Sequence, residues 1–340
     1  MSFPTLGRTA TGKAPAAPRP ASALLRRGGP AGRRGPRGRA PAPGRPRGAG
    51  RRGSRIAWLF SAPFLVIFLG LYAGPLLAGL GMSVTDLRST DVRNPFAVNG
   101  IGLDNYTRLF QDEVMRKAAA NTAFFVVTAV PLTILMGLAA AVALHAGIER
   151  FRTLFRVGYF LPHVTSIVGI AVVWRFLLDP EAGLVNEGLS WIGIDGPAWL
   201  SDERTALPAL VVMAAWRGFG FDMVIFLAAL QGIPRDLYEA ADVDGAGAWA
   251  RFRSITLPML RPALLFTTVY STIGFMQFME EPLVMTKGGP DNATLSASLA
   301  IYQQFGVGNY GYAGAAASVL FTVIIALTFL QFRLMRAKHH

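Results

Sequence analysis

Two groups of residues carry whatever chemistry this chain performs, and neither is arranged to make or break bonds. The first is residues 239–258, EAADVDGAGAWARFRSITLP, a polar stretch between two long apolar runs. Glu239, Ala240 and Ala241 are followed by Gly245, and nine residues later by Ile255, Leu257 and Pro258. Residues 236–243 are expected to form a short helix whose alanines give a low-relief surface that another protein can approach closely. Gly245 and Gly247 supply backbone freedom for a turn. A second short helix through Trp249 to Ser254 carries Arg251 and Arg253, and Pro258 suits the first turn of a following helix. The second group is Arg217, Gln277, Glu280 and Glu281, polar residues set inside otherwise apolar runs, with Tyr270, Phe275 and Phe278 close by. An Arg at a helix centre in lipid costs about 2.5–3.5 kcal/mol on insertion scales, so such groups turn toward a bundle interior or a wet cavity.

What the chain lacks narrows the chemistry further. It has no cysteine, which excludes disulfides and thiolate metal sites, and its four histidines are scattered without ligand spacing. No metal and no cofactor is expected. Residues 7–13 read GRTATGK, close to a phosphate-binding loop. Ala14, however, stands where a Ser or Thr should ligate magnesium, and Pro15, Pro18 and Pro20 forbid the helix that must follow. The chain is read as non-catalytic. Its net charge of +13 points to nucleic acid only until it is located. Residues 1–55 hold thirteen Arg, one Lys and no acid, which leaves about −1 for the remainder. This Pro-, Gly-, Ala- and Arg-rich stretch cannot bury enough apolar surface to offset its ordering entropy, and is expected to be a disordered basic tail. No aromatic-interleaved basic surface remains outside it, so no nucleic-acid partner is expected. Arg51 and Arg52 precede an apolar run too long for an export signal, which is read as a retained span.

The elements that must hold these groups are membrane helices. Apolar residues make up 52% of the chain and charged residues 16%, an unusual balance for a soluble protein. Six runs of roughly 20 or more mostly apolar residues match the length needed to cross a hydrocarbon core of about 30 Å. They lie at about 56–84, 121–146, 155–178, 206–230, 259–285 and 313–332, the third interrupted by Arg175 and the fifth by Gln277. Pro63, Pro75 and Pro131 do not exclude helix inside a bundle. Gly218 and Gly220, beside Arg217, are expected to loosen the fourth span. The intensely basic N-terminus should stay in the cytoplasm. Six crossings then put the 147–154 and 231–258 loops and the C-terminus inside, each marked by Arg or Lys. The loop over 179–205 carries one Arg against six acids. The polar 239–258 segment therefore faces the cytoplasm.

The spacing E-A-A, three residues, G, nine residues, I-x-L-P resembles the cytoplasmic docking loop of ABC importer permeases, and every fixed position of that pattern is met. Four further segments are similar to the carbohydrate branch of that family: GLDNYTRLF at 102–110, LPHVTSIVGIAVVWRFLLDPEAGLVN at 161–186, LQGIPRDLYEAA at 230–241 and FMQFMEEPLVMTKGGPDNAT at 275–294. The resemblance covers nearly everything from about residue 56 onward. It implies an all-α integral membrane protein with six transmembrane helices and a cytoplasmic docking (coupling) helix between spans 4 and 5. The tail occupies 1–55 and the permease domain 56–340. The implied function is half of the translocation pathway of an ATP-driven, binding-protein-dependent sugar importer. The protein would sit in a bacterial inner membrane with both termini cytoplasmic. Implied partners are a second related permease, two ATP-binding cassette ATPase subunits that hydrolyse the ATP, an extracytoplasmic solute-binding protein, a sugar or oligosaccharide, and membrane lipid. Glu239, Ala240, Ala241, Gly245, Ile255, Leu257 and Pro258 would dock the ATPase. Arg217, Tyr270, Gln277, Glu280 and Glu281 would line the substrate path, unless Arg217 pairs with Asp222 or Glu280 as internal glue. A permease for a non-sugar solute shares the docking pattern. An ion-coupled secondary transporter shares the hydropathy but leaves that pattern without purpose.

Overall fold

The computed structural model of the chain describes residues 51–93, 98–147 and 152–335, so the expected tail falls outside it as far as residue 50. Among the described residues the structure is helical apart from an isolated bridge between Thr85 and Gly100. Lipid demands this, because a spanning segment must satisfy its own backbone hydrogen bonds.

Among the described residues, four stretches are long and apolar enough to cross a membrane. The first, Trp58–Ser83, joins α1 (Arg51–Phe68), a π-turn (Leu69–Ala73) and α2 (Gly74–Ser83). A short α3 (Asp104–Gln111) leads into α4 (Glu113–Ala146), which passes Pro131 without stopping. Asp112 starts α4 by accepting hydrogen bonds from the amides of Val114 and Met115, and also accepts one from the Tyr312 hydroxyl at 2.7 Å. Burial pushes its carboxyl up, but those three bonds outweigh burial and hold it below the usual range.

The expected third span is not continuous. α5 (Arg152–Val164) and α6 (Ile167–Leu177) are bent by 98° about Thr165 and Ser166. Ser166 takes extended backbone angles, and the Thr165 hydroxyl turns back to the Leu161 carbonyl. Pro162, one turn earlier, lacks the amide that would bond the Gly158 carbonyl, which weakens the helix before the bend. After α7 (Leu184–Ser190), α8 (Glu203–Gln231) starts from an Asp202 cap on the Arg204 amide and runs unbroken.

Gly218 and Gly220 do not loosen α8, contrary to expectation. They let neighbours approach it. A Cβ on Gly220 would overlap the Tyr159 carbonyl oxygen of α5, and one on Gly218 would lie 3.0 Å from the Thr133 methyl of α4. On the facing side Gly137 of α4 sits where a Cβ would come within 2.7 Å of the Asp222 Cβ. Small residues at helix crossings of this kind bring backbones together where no hydrophobic effect separates helix from lipid.

Beyond α8 come α9 (Arg235–Val243), α10 (Ala248–Arg251), a π-turn (Phe252–Thr256) and α11 (Leu257–Met259). The expected fifth span resolves into α12 (Arg261–Met276) and α13 (Glu280–Met285), separated at 277–279. The 16 residues of α12 rise only about 24 Å at 1.5 Å per residue, short of the hydrocarbon core. α14 (Ala297–Gly306) is capped by Ser296, and α15 (Tyr310–Met335) is the last candidate span. Among the described residues, apolar clusters hold the bundle around Phe125, Leu210 and Phe278, around Leu144, Phe226 and Leu260, and around Leu109, Leu299 and Tyr312.

Candidate functional site

The segment after α8 is built as an anchor and a presented face. α9 ends at Val243, and Gly245 follows in the left-handed region at φ +73°. The Ala246 amide donates to the Ala241 carbonyl at 2.9 Å, and the Gly245 amide donates to the Asp242 carbonyl at 3.1 Å. This pair of bonds is the Schellman cap, which favours glycine at that residue because a Cβ is strained there. Gly247, at φ −66°, needs no such freedom. Arg251 pairs with Asp242 and ties α10 back to α9. The expected helix over Trp249–Ser254 is present as α10 continued by the π-turn.

The second half of the motif is the anchor. Ile255 and Leu257 pack with Tyr238 and Phe252 against the cluster around Leu144, Phe226 and Leu260. The Tyr238 and Thr256 hydroxyls meet at 2.9 Å, and Pro258 stands in the opening turn of α11. Glu239, Ala240 and Gly245 remain exposed, and Ala241 is half-buried. Two large apolar residues that the sequence reading gave no docking role share this segment: Val243 is 89% exposed, and Trp249 is 72% exposed and stacked at 5.6 Å on Phe252. Exposed apolar side chains beside a polar, fixed helix are the ordinary make-up of a protein-binding surface.

The five intramembrane residues come together. Arg217, Tyr270, Gln277, Glu280 and Glu281 all line one cavity of about 400 Å³ between α4, α5, α8, α12 and α13. The break at 277–279 is what brings them there. It lets Phe278 turn inward and stack on Phe125 at 3.8 Å, while Gln277 and Glu280 flank it on the cavity wall. The Phe278 carbonyl freed by the break accepts a hydrogen bond from Ser296 Oγ at 2.7 Å, so the α14 cap also heals the interruption. Irregular backbone at membrane depth is tolerated where protein satisfies it in this way.

Arg217 makes no ion pair with Asp222 or Glu280: none of the ion pairs among the described residues involves any of the three. Arg217 Nε, His163 Nδ1, Asp222 Oδ2 and Glu281 Oε2 are all buried without a hydrogen-bond partner, and all four residues line the cavity. Aromatic faces complete the wall: His163 stacks on Phe221 at 4.9 Å, and Phe221 meets Tyr270 in a tilted contact at 4.7 Å. Sequence reasoning missed His163, Phe221, Ser271 and Thr133 as wall residues. Phe221 lies four residues beyond Arg217 on α8, a spacing that places both on one face and could have found it. His163 lies just before the bend after α5, which nothing local in its sequence marks.

The family described as binding-protein-dependent transport system inner membrane component matches residues 129–338, which include α8, the presented segment and most of the cavity wall. The chain belongs to this family. The permease is 37% identical over 288 residues to the lactose transport system permease protein LacF of Rhizobium radiobacter, covering 83% of this chain and 94% of that protein. It is 32% identical over 286 residues to the arabinooligosaccharides transport system permease protein AraP of Halalkalibacterium halodurans, covering 83% and 88%. Among solved structures it is similar to a bacterial ABC transporter that imports the acidic polysaccharide alginate, with 27% identity and a TM-score of 0.71 over 85% of this chain and 99% of that one. It is also similar to a chain of the alginate transporter in complex with alginate pentasaccharide-bound periplasmic protein, with 26% identity and a TM-score of 0.73 over 84% and 95%. The permease is accordingly a multi-pass membrane protein.

Proposed function

We propose that this permease forms half of the translocation pathway of an ATP-driven, binding-protein-dependent importer of a sugar or oligosaccharide in a bacterial inner membrane. On this reading the bent pair α5–α6 is the third of six spans and α11–α13 the broken fifth, with both termini in the cytoplasm. Residues 239–258 dock one of two ATP-binding cassette ATPase subunits, which hydrolyse the ATP. A second, related permease supplies the other half of the pathway, and an extracytoplasmic solute-binding protein delivers the sugar.

The observation that carries the reading is the division of labour inside the docking motif. A surface that transmits force must be rigid and fixed to what it moves. Here Ile255 and Leu257 are seated in the core cluster that holds α4 and α8, the helices that wall the cavity. Glu239, Ala240 and Gly245 are left free at the other end. A displacement of α9 by a closing ATPase is thereby passed to the cavity walls, which is how a rigid-body alternation between inward- and outward-facing forms is driven. The cavity itself offers unpaired donors, unpaired acceptors and aromatic faces, the three things a sugar ring uses.

The test is reconstitution of the permease with its partner permease, ATPase and binding protein in liposomes. Uptake of labelled sugar should require internal ATP and the loaded binding protein, and should stop with vanadate. Uptake that ignores vanadate and collapses with a protonophore would instead make the chain an ion-coupled transporter.

A further inference from the structure

Resting on the importer reading above, we propose that the cavity selects an acidic sugar, one carrying a carboxylate or phosphate group, and that Arg217 is the residue that reads the acid. Besides Tyr270, five titratable side chains line this cavity: Arg217, His163, Asp222, Glu280 and Glu281. They differ in whether their charge can be discharged. Carboxyl and imidazole groups gain or lose a proton as their surroundings favour, whereas a guanidinium keeps its proton inside a protein. Asp222 and Glu281 are 1% and 4% exposed, each with an unpaired carboxyl oxygen, and such groups can stay neutral in so dry a place. Arg217 has no such escape. Its Nε is buried without a hydrogen-bond partner, and it belongs to none of the ion pairs among the described residues. Half-buried Glu280 also stays out of those pairs. A fixed cation left unpaired inside a bundle is costly, and the ligand is the group positioned to meet it.

A carboxylate or phosphate accepts parallel N–H bonds from the guanidinium fork, and these are stronger and more directional than the bonds a neutral hydroxyl can offer. A carboxyl holding its proton has an O–H to give to a sugar oxygen, so Asp222 and Glu281 need not oppose such a ligand. A second cavity points the same way. It encloses about 380 Å³ between the end of α6, the loop after it and the end of α13, and Arg175 and Lys287 both line it. Both are exposed, and neither is in an ion pair among the described residues. The carboxyl on its wall, Asp179, is already engaged: its Oδ1 accepts from the amides of Glu181 at 3.0 Å and Ala182 at 2.9 Å. On the importer reading this cavity lies on the extracytoplasmic side, so an acidic solute meets Arg175 and Lys287 before Arg217. Two cations on one concave wall raise the local concentration of an anion and speed its capture. Screening keeps that attraction within about 8 Å, so the acids farther along the 179–205 loop offset it little.

The test uses the purified, assembled importer without nucleotide and without its binding protein, so that the permease cavity selects. Three probes share one skeleton: cellobiose, the same disaccharide oxidised to a carboxylate at C6′, and the same disaccharide phosphorylated at C6′. Binding is followed by saturation-transfer NMR and calorimetry. At least one acid should bind about tenfold or more tightly than cellobiose, and the tighter of the two names the group that is read. Arg217→Gln should erase that preference in a complex of unchanged elution while cellobiose binding changes little. Arg217→Lys keeps a point charge without the fork and should retain part of the preference. If Arg217→Gln fails to assemble, the exposed pair Arg175→Gln and Lys287→Gln tests the same proposal by stopped-flow: acid association should slow severalfold and lose its salt dependence, with cellobiose unaffected. Cellobiose binding as tightly as both acids, a preference that survives Arg217→Gln, acid association unmoved by the outer pair, or no binding of any probe overturns the proposal. ATP-driven, vanadate-sensitive uptake of neutral sugars alone would overturn the acid selection while leaving the importer reading intact. Uptake independent of ATP would instead sink the importer reading.

Discussion

Replacing Gly245 tests the docking segment most sharply, because the structure separates the backbone requirement from every other one. A Cβ at Gly245 would meet nothing within 4 Å, so a substitution there creates no clash. The whole penalty comes from φ +73°, a region that L-residues enter at about 1–2 kcal/mol and β-branched ones at more. Gly245→Val should therefore disfavour the capped geometry by about 1–3 kcal/mol, which lowers the equilibrium constant between the capped loop and its alternatives by about 5- to 150-fold. Apparent affinity for the ATPase falls with the competent fraction, by up to that factor, if only the capped form binds. Two controls bracket the claim. Gly245→Asn keeps a residue that tolerates the left-handed region and should stay near wild type. Gly247→Ser, at an ordinary φ of −66°, adds a good helix cap before α10 and should also be silent. The assay is titration of the ATPase subunit onto the permease in nanodiscs, with uptake measured in parallel. Tight binding and full uptake by Gly245→Val at normal membrane abundance would refute the reasoning, and equal losses in all three variants would show that the backbone angle is not the cause.

Glu239→Lys should abolish uptake with normal insertion, whereas a merely solvated helix charge would change surface pairing by under about 1 kcal/mol and leave uptake intact. Gly220→Val should prevent assembly, because its side chain must overlap the Tyr159 carbonyl and force α5 off α8; this would appear as lost monodisperse protein in fluorescence-detected chromatography. Asp112→Ala removes the α4 cap and the bond from Tyr312, and should lower stability in detergent by about 1–3 kcal/mol. Since the Asp112 carboxyl titrates below its usual range, its contribution is complete at neutral pH and fades as pH falls through that lowered value, so wild type and variant should converge in strong acid. Gln277→Ala and Glu281→Ala should each lower uptake while leaving binding-protein-stimulated ATP hydrolysis in place; unchanged uptake in both would remove them from the path.

The local fold of residues 239–258 was legible in the sequence because its constraints are local. Gly245 answers to one backbone angle, Pro258 to one helix start, and Ile255 with Leu257 to a short apolar step, and each leaves its mark at the residue concerned. The helices α4, α8 and α15 were legible for a related reason, since a long apolar run in lipid has few alternatives to helix. What the residues do not announce is where a helix gives way. The bend at Thr165 and Ser166 and the break at 277–279 depend on partners far along the chain: Gly220 admitting the α5 backbone, Phe125 receiving the Phe278 ring, and Ser296 closing the Phe278 carbonyl.

That same dependence explains why the cavity could be half seen. Arg217, Gln277, Glu280 and Glu281 stand out because a polar group in an apolar run is costly wherever it points. Tyr270 draws notice only as an aromatic neighbour of those groups, and His163 and Phe221 draw none, because aromatic and weakly polar residues are tolerated in a bundle on any face. They join the wall through the bend after α5 and the ring contacts of Phe221 with His163 and Tyr270. The interruptions are thus not defects in two spans. A straight third helix would carry His163 on an uninterrupted apolar rod, and a straight fifth would deny Phe278 its inward turn and close the gap between Gln277 and Glu280. The broken geometry sets four unpaired polar atoms around one void in the bundle, and on the proposed importer reading their unmet hydrogen bonds are what a polar solute would satisfy there.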